Sequence, residues 1–281
     1  MIPAAFEYEV AESVEHAIEL LGSKEDAKLL AGGHSLLPLM KFRLARPATL
    51  IDIGRVSGLS GVRDGGEHLA IGALTRHHDL NHDPLVQEHC PLVAYAAGLV
   101  GDSQVRHRGT IGGSIAHGDP ASDLPTIALT LDAEIVMRGP GGERTVAATD
   151  FFQGFYETAL EPNEVITEVR VAKTGAAGWS YVKFRRRALD WATVGVATIV
   201  EAGNGTIDRA RIGLTNMGQT PLRAAAAEQA LAGASREDVA VATANADEGT
   251  DPPADTSASA DFRRHLCRVL TARAVEEALS R

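Results

Sequence analysis

Two short segments pair glycines with small hydroxyl residues. Residues 31–40 read AGGHSLLPLM, and residues 101–125 read GDSQVRHRGTIGGSIAHGDPASDLP. Gly32–Gly33 lead into His34 and Ser35, while Gly112–Gly113 stand between Thr110 and Ser114. Consecutive glycines let the backbone turn where other residues clash and leave its N–H groups uncovered. Uncovered N–H groups form concave sites for anions such as phosphate. Two such loops could grip one diphosphate from two sides. The plainer alternative is two unrelated turns, since Gly-Gly is a common turn signal. Ser35, Ser114 and Thr110 read as hydroxyl contacts to phosphate rather than as nucleophiles, because no base recurs at a spacing that would activate them. The dinucleotide fingerprint G-x-G-x-x-G and the phosphate-loop string G-x-x-x-x-G-K-[ST] are both absent. A Rossmann-type or P-loop site is therefore not expected.

Other side chains could also carry chemistry. Asp123 follows the second glycine pair; its carboxylate could meet a ligand or cap a helix starting near Leu124–Pro125, since proline is favoured in a first helical turn. Asp119, before Pro120, reads as a turn residue. In YVKFRRR (181–187), strand alternation sends Tyr181, Lys183 and Arg185 to one face and Val182, Phe184 and Arg186 to the other. Lys183 is thus either a placed cation or part of a solvated or subunit-facing basic strand. His68, His77, His78, His82 and His89 cluster in a segment that reads as polar surface. His78 and His82, four apart, could share an ion on a helix, but no third ligand recurs at regular spacing.

These residues need elements to hold them. Val14, Ala17, Ile18 and Leu21 have helical spacing, with Ser13 as N-cap and Gly22 as stop. KLLAG (28–32) and TLIDI (49–53) read as strands, so the first glycine segment closes a small α/β unit. HLAIGAL (68–74) reads as a strand, with Thr75 capping a short helix and a longer helical region over 84–100 interrupted at Pro91. A helix over 126–132 precedes a hairpin of 133–138 and 143–148, and VITEVRVA (165–172) alternates as a strand. TGAAG (174–178) reads as a linker. Three alternating strands follow at 179–186, 192–201 and 209–217, with Asn204–Gly205 as a hairpin turn. Helical patterns over 222–232 and 235–244, an irregular segment over 247–260 and a helix over 261–279 complete the chain.

Composition narrows the function. A net charge of −10 argues against nucleic acid or an anionic membrane as partner. No apolar run approaches the roughly 18 residues of a membrane span. The opening MIPAAFEYEV has neither the basic head nor the apolar core of a signal peptide. Cys90 and Cys267 are the only cysteines. They imply no disulfide framework, and they fall short of the set that holds an iron–sulfur cluster. Any such cluster would sit on another chain.

TIGGSIAHGDPASDLP resembles the second FAD motif of the medium, flavin-binding subunit of the molybdenum hydroxylases, the family of carbon monoxide and xanthine dehydrogenases. AGGHSLLPLMKFRLARPATLIDIGRV resembles that family's first motif, and YVKFRRRALDWATVGVA (181–197) is similar to its carbon monoxide dehydrogenase-like branch. The resemblance covers essentially the whole chain. It implies an α+β fold: a FAD-binding domain of the MurB/vanillyl-alcohol oxidase (PCMH) type over 1–175, with subdomains 1–56 and 57–175. A C-terminal domain of antiparallel strands and helices follows over 177–281. It implies noncovalent FAD on Ala31, Gly32, Gly33, His34, Ser35 and Leu36 and on Thr110, Ile111, Gly112, Gly113 and Ser114. His34 stands where glutamine is common and can still donate to a phosphate or ribityl oxygen. Asp123 is implied near the flavin, Ile166 against its pyrimidine edge through the backbone, and Lys183 near the ring. No catalytic residue and no metal ligand is implied. The function implied is electron relay, with molybdenum cofactor and [2Fe–2S] clusters carried only by partners. Those partners are an iron–sulfur small subunit and a molybdenum large subunit, in a cytoplasmic dimer of heterotrimers. Two alternatives stay open: a self-contained flavin oxidase or reductase, and a FAD-free scaffold.

Overall fold

A computed structural model of the chain describes residues 2–281. The first unit contains β1 (Glu7–Val10), α1 (Val14–Ser23), β2 (Ala27–Leu30), α2 (Leu36–Lys41) and β3 (Thr49–Asp52). Its strands form a parallel sheet in the order β1-β3-β2. The hydroxyl of Ser13 caps α1 by accepting from the His16 N–H at 3.1 Å, while Ala17 and Leu21 bury its apolar stripe. Gly22 does not end this helix, which runs on to Ser23; the turn comes at Asp26, where φ is +46°.

The middle of the chain supplies β4 (Val62–Asp64), β5 (His68–Gly72), α3 (His77–His82), α4 (Pro84–His89), α5 (Pro91–Gly98), α6 (Ser103–Arg106), α7 (Ile111–His117) and α8 (Asp123–Thr130). It continues with β6 (Glu134–Gly139), β7 (Gly142–Ala147), α9 (Ala148–Phe151), β8 (Phe152–Gly154), β9 (Glu157–Thr158) and β10 (Val165–Ala172). Here the sheet is antiparallel, ordered β4-β5-β10-β6-β7. Its core face (Leu69, Ile71, Ile135, Met137, Val169) packs on Val93 and Ala97 of α5, Ile115 of α7 and Ile127 of α8. Thr75 does not cap α3. Its hydroxyl instead donates to the Gly72 carbonyl at 2.7 Å and accepts from the Gly61 N–H at 2.9 Å, and Arg76 stands at the cap position.

The C-terminal part contains β11 (Gly178–Phe184), β12 (Val194–Gly203), β13 (Thr206–Thr215), β14 (Leu222–Arg223), α10 (Ala225–Leu231), α11 (Val239–Ala242) and α12 (Ala260–Ala278). Asn204 and Gly205 take φ of +51° and +83°, the turn that matches strand twist in a tight hairpin. Alternation gives this antiparallel sheet two buried faces. Val196, Val200 and Ile212 meet Leu270 and Ala274 of α12, while Tyr181, Ala197 and Ile199 join the core of the middle sheet. Residues 247–259 form no helix or strand, yet Arg263 ties them down: its buried guanidinium bonds Asp255 at 2.8 Å and the Thr193 carbonyl. No helix among the described residues is long and apolar enough to cross a membrane.

Candidate functional site

The first glycine pair lies where β2 gives way to α2. Gly33 takes φ +75°, a conformation that L side chains rarely adopt. Carbonyls of Gly33 and Ser35 accept from Leu37 and Leu39 at 3.0 and 3.3 Å, opening the helix. The backbone N–H groups of Gly32, Gly33, His34, Ser35 and Leu36 have no acceptor among the described residues, and the Ser35 hydroxyl makes no cap bond. The His34 ring pairs through Nδ1 with the Gly32 carbonyl at 3.1 Å. This run of free donors is the kind of concavity that takes an anion.

The second pair is built differently. Gly112–Gly113 do not form an open loop; they are the first turn of α7, with Thr110 as N-cap. The Thr110 hydroxyl accepts from the Gly113 N–H at 3.1 Å. The Ile111, Gly112 and Ser114 N–H groups donate to the carbonyls of Thr75, Ala73 and Thr110 at 3.0, 2.8 and 3.0 Å. The uncovered amides expected here are therefore already occupied. Gly112 is small because a Cβ would fall 2.5 Å from the Ala73 Cβ and 2.8 Å from its carbonyl oxygen. A Cβ on Gly113 would come 2.8 Å from the Thr110 hydroxyl and 4.0 Å from the Ala31 Cβ, so that face looks toward the first motif. A Cβ on Gly32 would overlap the Arg108 carbonyl oxygen. The two motifs thus touch backbone to backbone.

Asp123 is the first residue of α8, with Ser122 as N-cap, so it does not cap the helix itself. Its side chain crosses to the C-terminal sheet. Oδ2 accepts from Lys183 Nζ at 2.8 Å, and Oδ1 accepts from the Tyr181 hydroxyl at 2.6 Å. Lys183 also donates to the Leu99 carbonyl at 3.1 Å. Both charged side chains are about as buried as side chains become, at 2% and 1% exposure, so Lys183 does not lie on a solvated strand face. Burial pushes the Asp123 carboxyl above its ordinary range, against the opposing pull of the Lys183 ammonium and the Tyr181 hydroxyl. Burial and the neighbouring carboxylate hold the Tyr181 phenol well above its usual value. Beside the pair opens a cleft of about 250 Å³, lined by Tyr95, Leu99, Tyr181, Val182, Lys183 and Arg185.

Ile166 lies at a bulge in β10, its side chain buried in the core. The next residue's carbonyl accepts from the Ala73 N–H at 3.0 Å, which brings the bulge alongside Gly112. Asp119 closes a turn by accepting from the Ala121 N–H at 2.9 Å. The histidines are not uniformly surface. His77 is buried, with Nδ1 unpartnered and Nε2 packed on Gly109, and burial pulls its pKa down to about 4. His78 stacks on His107 and tilts against His82, at 4.0 and 4.3 Å between ring centres. Among the described residues no group of three or more His, Cys, Asp or Glu could hold a metal. Tyr181 and the Leu99 carbonyl were not expected in the site. Alternation had put Tyr181 on the face of Lys183, and that was the available signal.

Residues 4–173 match the family described as FAD binding domain in molybdopterin dehydrogenase, and residues 179–278 match the CO dehydrogenase flavoprotein C-terminal domain. The chain belongs to this flavoprotein family. Its members include the carbon monoxide dehydrogenase medium chain of Hydrogenophaga pseudoflava, 45% identical over 100% of this chain and 99% of the relative. A 6-hydroxypseudooxynicotine dehydrogenase complex subunit alpha of Paenarthrobacter nicotinovorans is 39% identical over 100% and 97%. A solved carbon monoxide dehydrogenase from H. pseudoflava, lacking the Mo-pyranopterin moiety, superposes with a TM-score of 0.97 at 47% identity, covering 100% and 99% of the two chains. Quinoline 2-oxidoreductase from Pseudomonas putida 86 superposes with a TM-score of 0.96 at 34% identity, covering 100% and 99%. This chain is a FAD-binding oxidoreductase subunit.

Proposed function

We propose that the chain is the FAD-holding medium subunit of a molybdenum hydroxylase or dehydrogenase, joined to an iron–sulfur small subunit and a molybdenum large subunit in a cytoplasmic dimer of heterotrimers. FAD bound here supplies the reversible uptake of electrons that links the [2Fe–2S] clusters of the small subunit to an external acceptor. The observation that carries the reading is the segment Gly32–Leu36, a run of free amide donors packed directly against the Thr110 helix start. Ala31, Gly32, Gly33, His34, Ser35 and Leu36 hold the diphosphate. Thr110, Ile111, Gly112, Gly113 and Ser114 form the facing wall, whose glycines keep the gap narrow and free of side chains. Asp123 and Lys183 stand together at the ring end as an ion pair, and the backbone of Ile166 borders it. We place the unit boundaries at 1–56, 57–175 and 177–281, with the last unit screening the ring edge from water.

The chain purified alone is expected to carry flavin absorbance and to bleach with dithionite. It is expected to stay oxidised with the reducing substrate of the complex until both partner subunits are added. Bleaching by that substrate without partners would identify a self-contained oxidase instead. A chain that neither carries nor takes up flavin would identify a scaffold.

A further inference from the structure

We propose that Tyr181 is a positioning residue of the flavin site: its hydroxyl, aimed at Asp123, keeps that carboxylate ionised, so that the Asp123–Lys183 pair presents no net charge beside the ring. The inference rests on the FAD reading above. A phenol has one proton to give, and Tyr181 has two oxygens in reach, Asp123 Oδ1 at 2.6 Å and the Thr215 hydroxyl at 3.3 Å. The shorter, charged acceptor takes the proton. Thr215 in turn donates to the Thr126 hydroxyl at 2.8 Å, so toward Tyr181 it offers only a neutral lone pair at the longer distance.

The sheet makes room for this chain of contacts. A Cβ on Gly195 would fall 2.7 Å from the Tyr181 hydroxyl oxygen and 2.9 Å from Thr215, and a Cβ on Gly213 would overlap the Thr130 hydroxyl. Gly195 therefore clears the space in which the Tyr181 hydroxyl reaches Asp123, and Gly213 lets α8 pack close on the sheet. Glycine in a strand weakens it, and its presence marks a close approach. Asp123 has one donor on each oxygen, Lys183 on one and Tyr181 on the other. In a dry site an unmatched carboxylate oxygen is costly, and protonation removes the cost. The charged and titratable groups facing the carboxylate are Lys183 and Tyr181 on β11 and Arg185 just past its end. Tyr95 on α5 and Arg185 and Glu277 line the adjoining cleft.

The test uses the full FAD-loaded chain with Tyr181→Phe and, as control, Thr215→Val. In the phenylalanine variant Asp123 takes up a proton, and the pair gains one positive charge. The flavin midpoint potential is then expected to rise above the unaltered protein's at low pH and to converge with it at high pH. An infrared band of a buried carboxylic acid is expected in Tyr181→Phe, and neither in the unaltered chain nor in Tyr181→Phe/Asp123→Asn. Thr215→Val is expected to leave both readouts unchanged. Potentials that superimpose at every pH, a constant offset with no new carbonyl band, or the same shifts in Thr215→Val would each overturn the inference while leaving FAD binding intact. An unaltered chain that holds no flavin would overturn the FAD reading, and the inference with it.

Discussion

The two glycine pairs look alike in sequence and do different work. Gly32–Gly33 open a run of amides that nothing else among the described residues uses, with Gly33 in the left-handed region. Gly112–Gly113 begin a capped helix whose amides are committed to Ala73, Thr75 and Thr110. One pair offers donors; the other offers absence of bulk, to Ala73 behind it and to Ala31 in front. A glycine pair is thus not by itself an anion site. What decides is whether the neighbouring backbone has already claimed the N–H groups.

The sharpest way to break the comparison is Gly32→Ala. Its methyl meets backbone, which no rotamer change relieves, so the motifs must part. Flavin affinity is expected to fall about a hundredfold, close to 3 kcal/mol, measured by quenching of flavin fluorescence on titration. Unchanged affinity would show that motif contact is not needed for binding. Gly112→Ala is expected to act on the fold first. Overpacking against Ala73 should lower the stability of the flavin-free chain by about 1–3 kcal/mol, read from urea unfolding. A variant that keeps its stability and loses only flavin would return Gly112 to the role of ligand contact.

Acid should separate the motifs as well. His77 packs on Gly109 beside the second motif and is held neutral, with its pKa near 4 in the folded chain. An unfolded histidine titrates near its ordinary value of about 6.5. The stability His77 contributes is therefore complete above that value and drains away as pH falls toward 4, by at most about 1.4 kcal/mol per pH unit. Unfolding midpoints across this window should fall more steeply for the unaltered chain than for His77→Gln. Parallel curves would rule out this assignment. The smallest effect is expected at Ser35→Ala. Its hydroxyl makes no cap bond, so stability should hold, while flavin binding weakens several-fold, by about 1 kcal/mol for one lost hydrogen bond.

Much of the scaffold could be read directly. The alternation of VITEVRVA gives β10 residue for residue, and Asn204–Gly205 gives its hairpin. Elements carried by their neighbours were missed. β1 and β4 are short edge strands with exposed side chains, so neither has an apolar pattern to announce it. Helix α7 was hidden because paired glycines disfavour a helix by propensity, and three backbone acceptors plus a threonine cap override that preference only once the chain has folded. In the site, spacing placed Tyr181 with Lys183 but could not say that Asp123 stands opposite. That juxtaposition depends on α8 packing across β12 and β13, a contact between segments far apart in the chain.

The reach of Asp123 to β11 also bears on how such chains can be recombined. Each half keeps in its interior a charge that only the other half neutralises, and Asp132, just past α8, repeats the arrangement near the surface with Arg211 and Arg223 at 3.2 and 2.8 Å. A buried charge stripped of its partner destabilises a fold by about 3–5 kcal/mol, a large share of a domain's whole stability. Exchange of the region after residue 177 between two relatives is therefore tolerated only when the incoming segment brings a lysine in the register of 183 and a tyrosine two residues before it. The two halves are thus expected to exchange only as a matched pair.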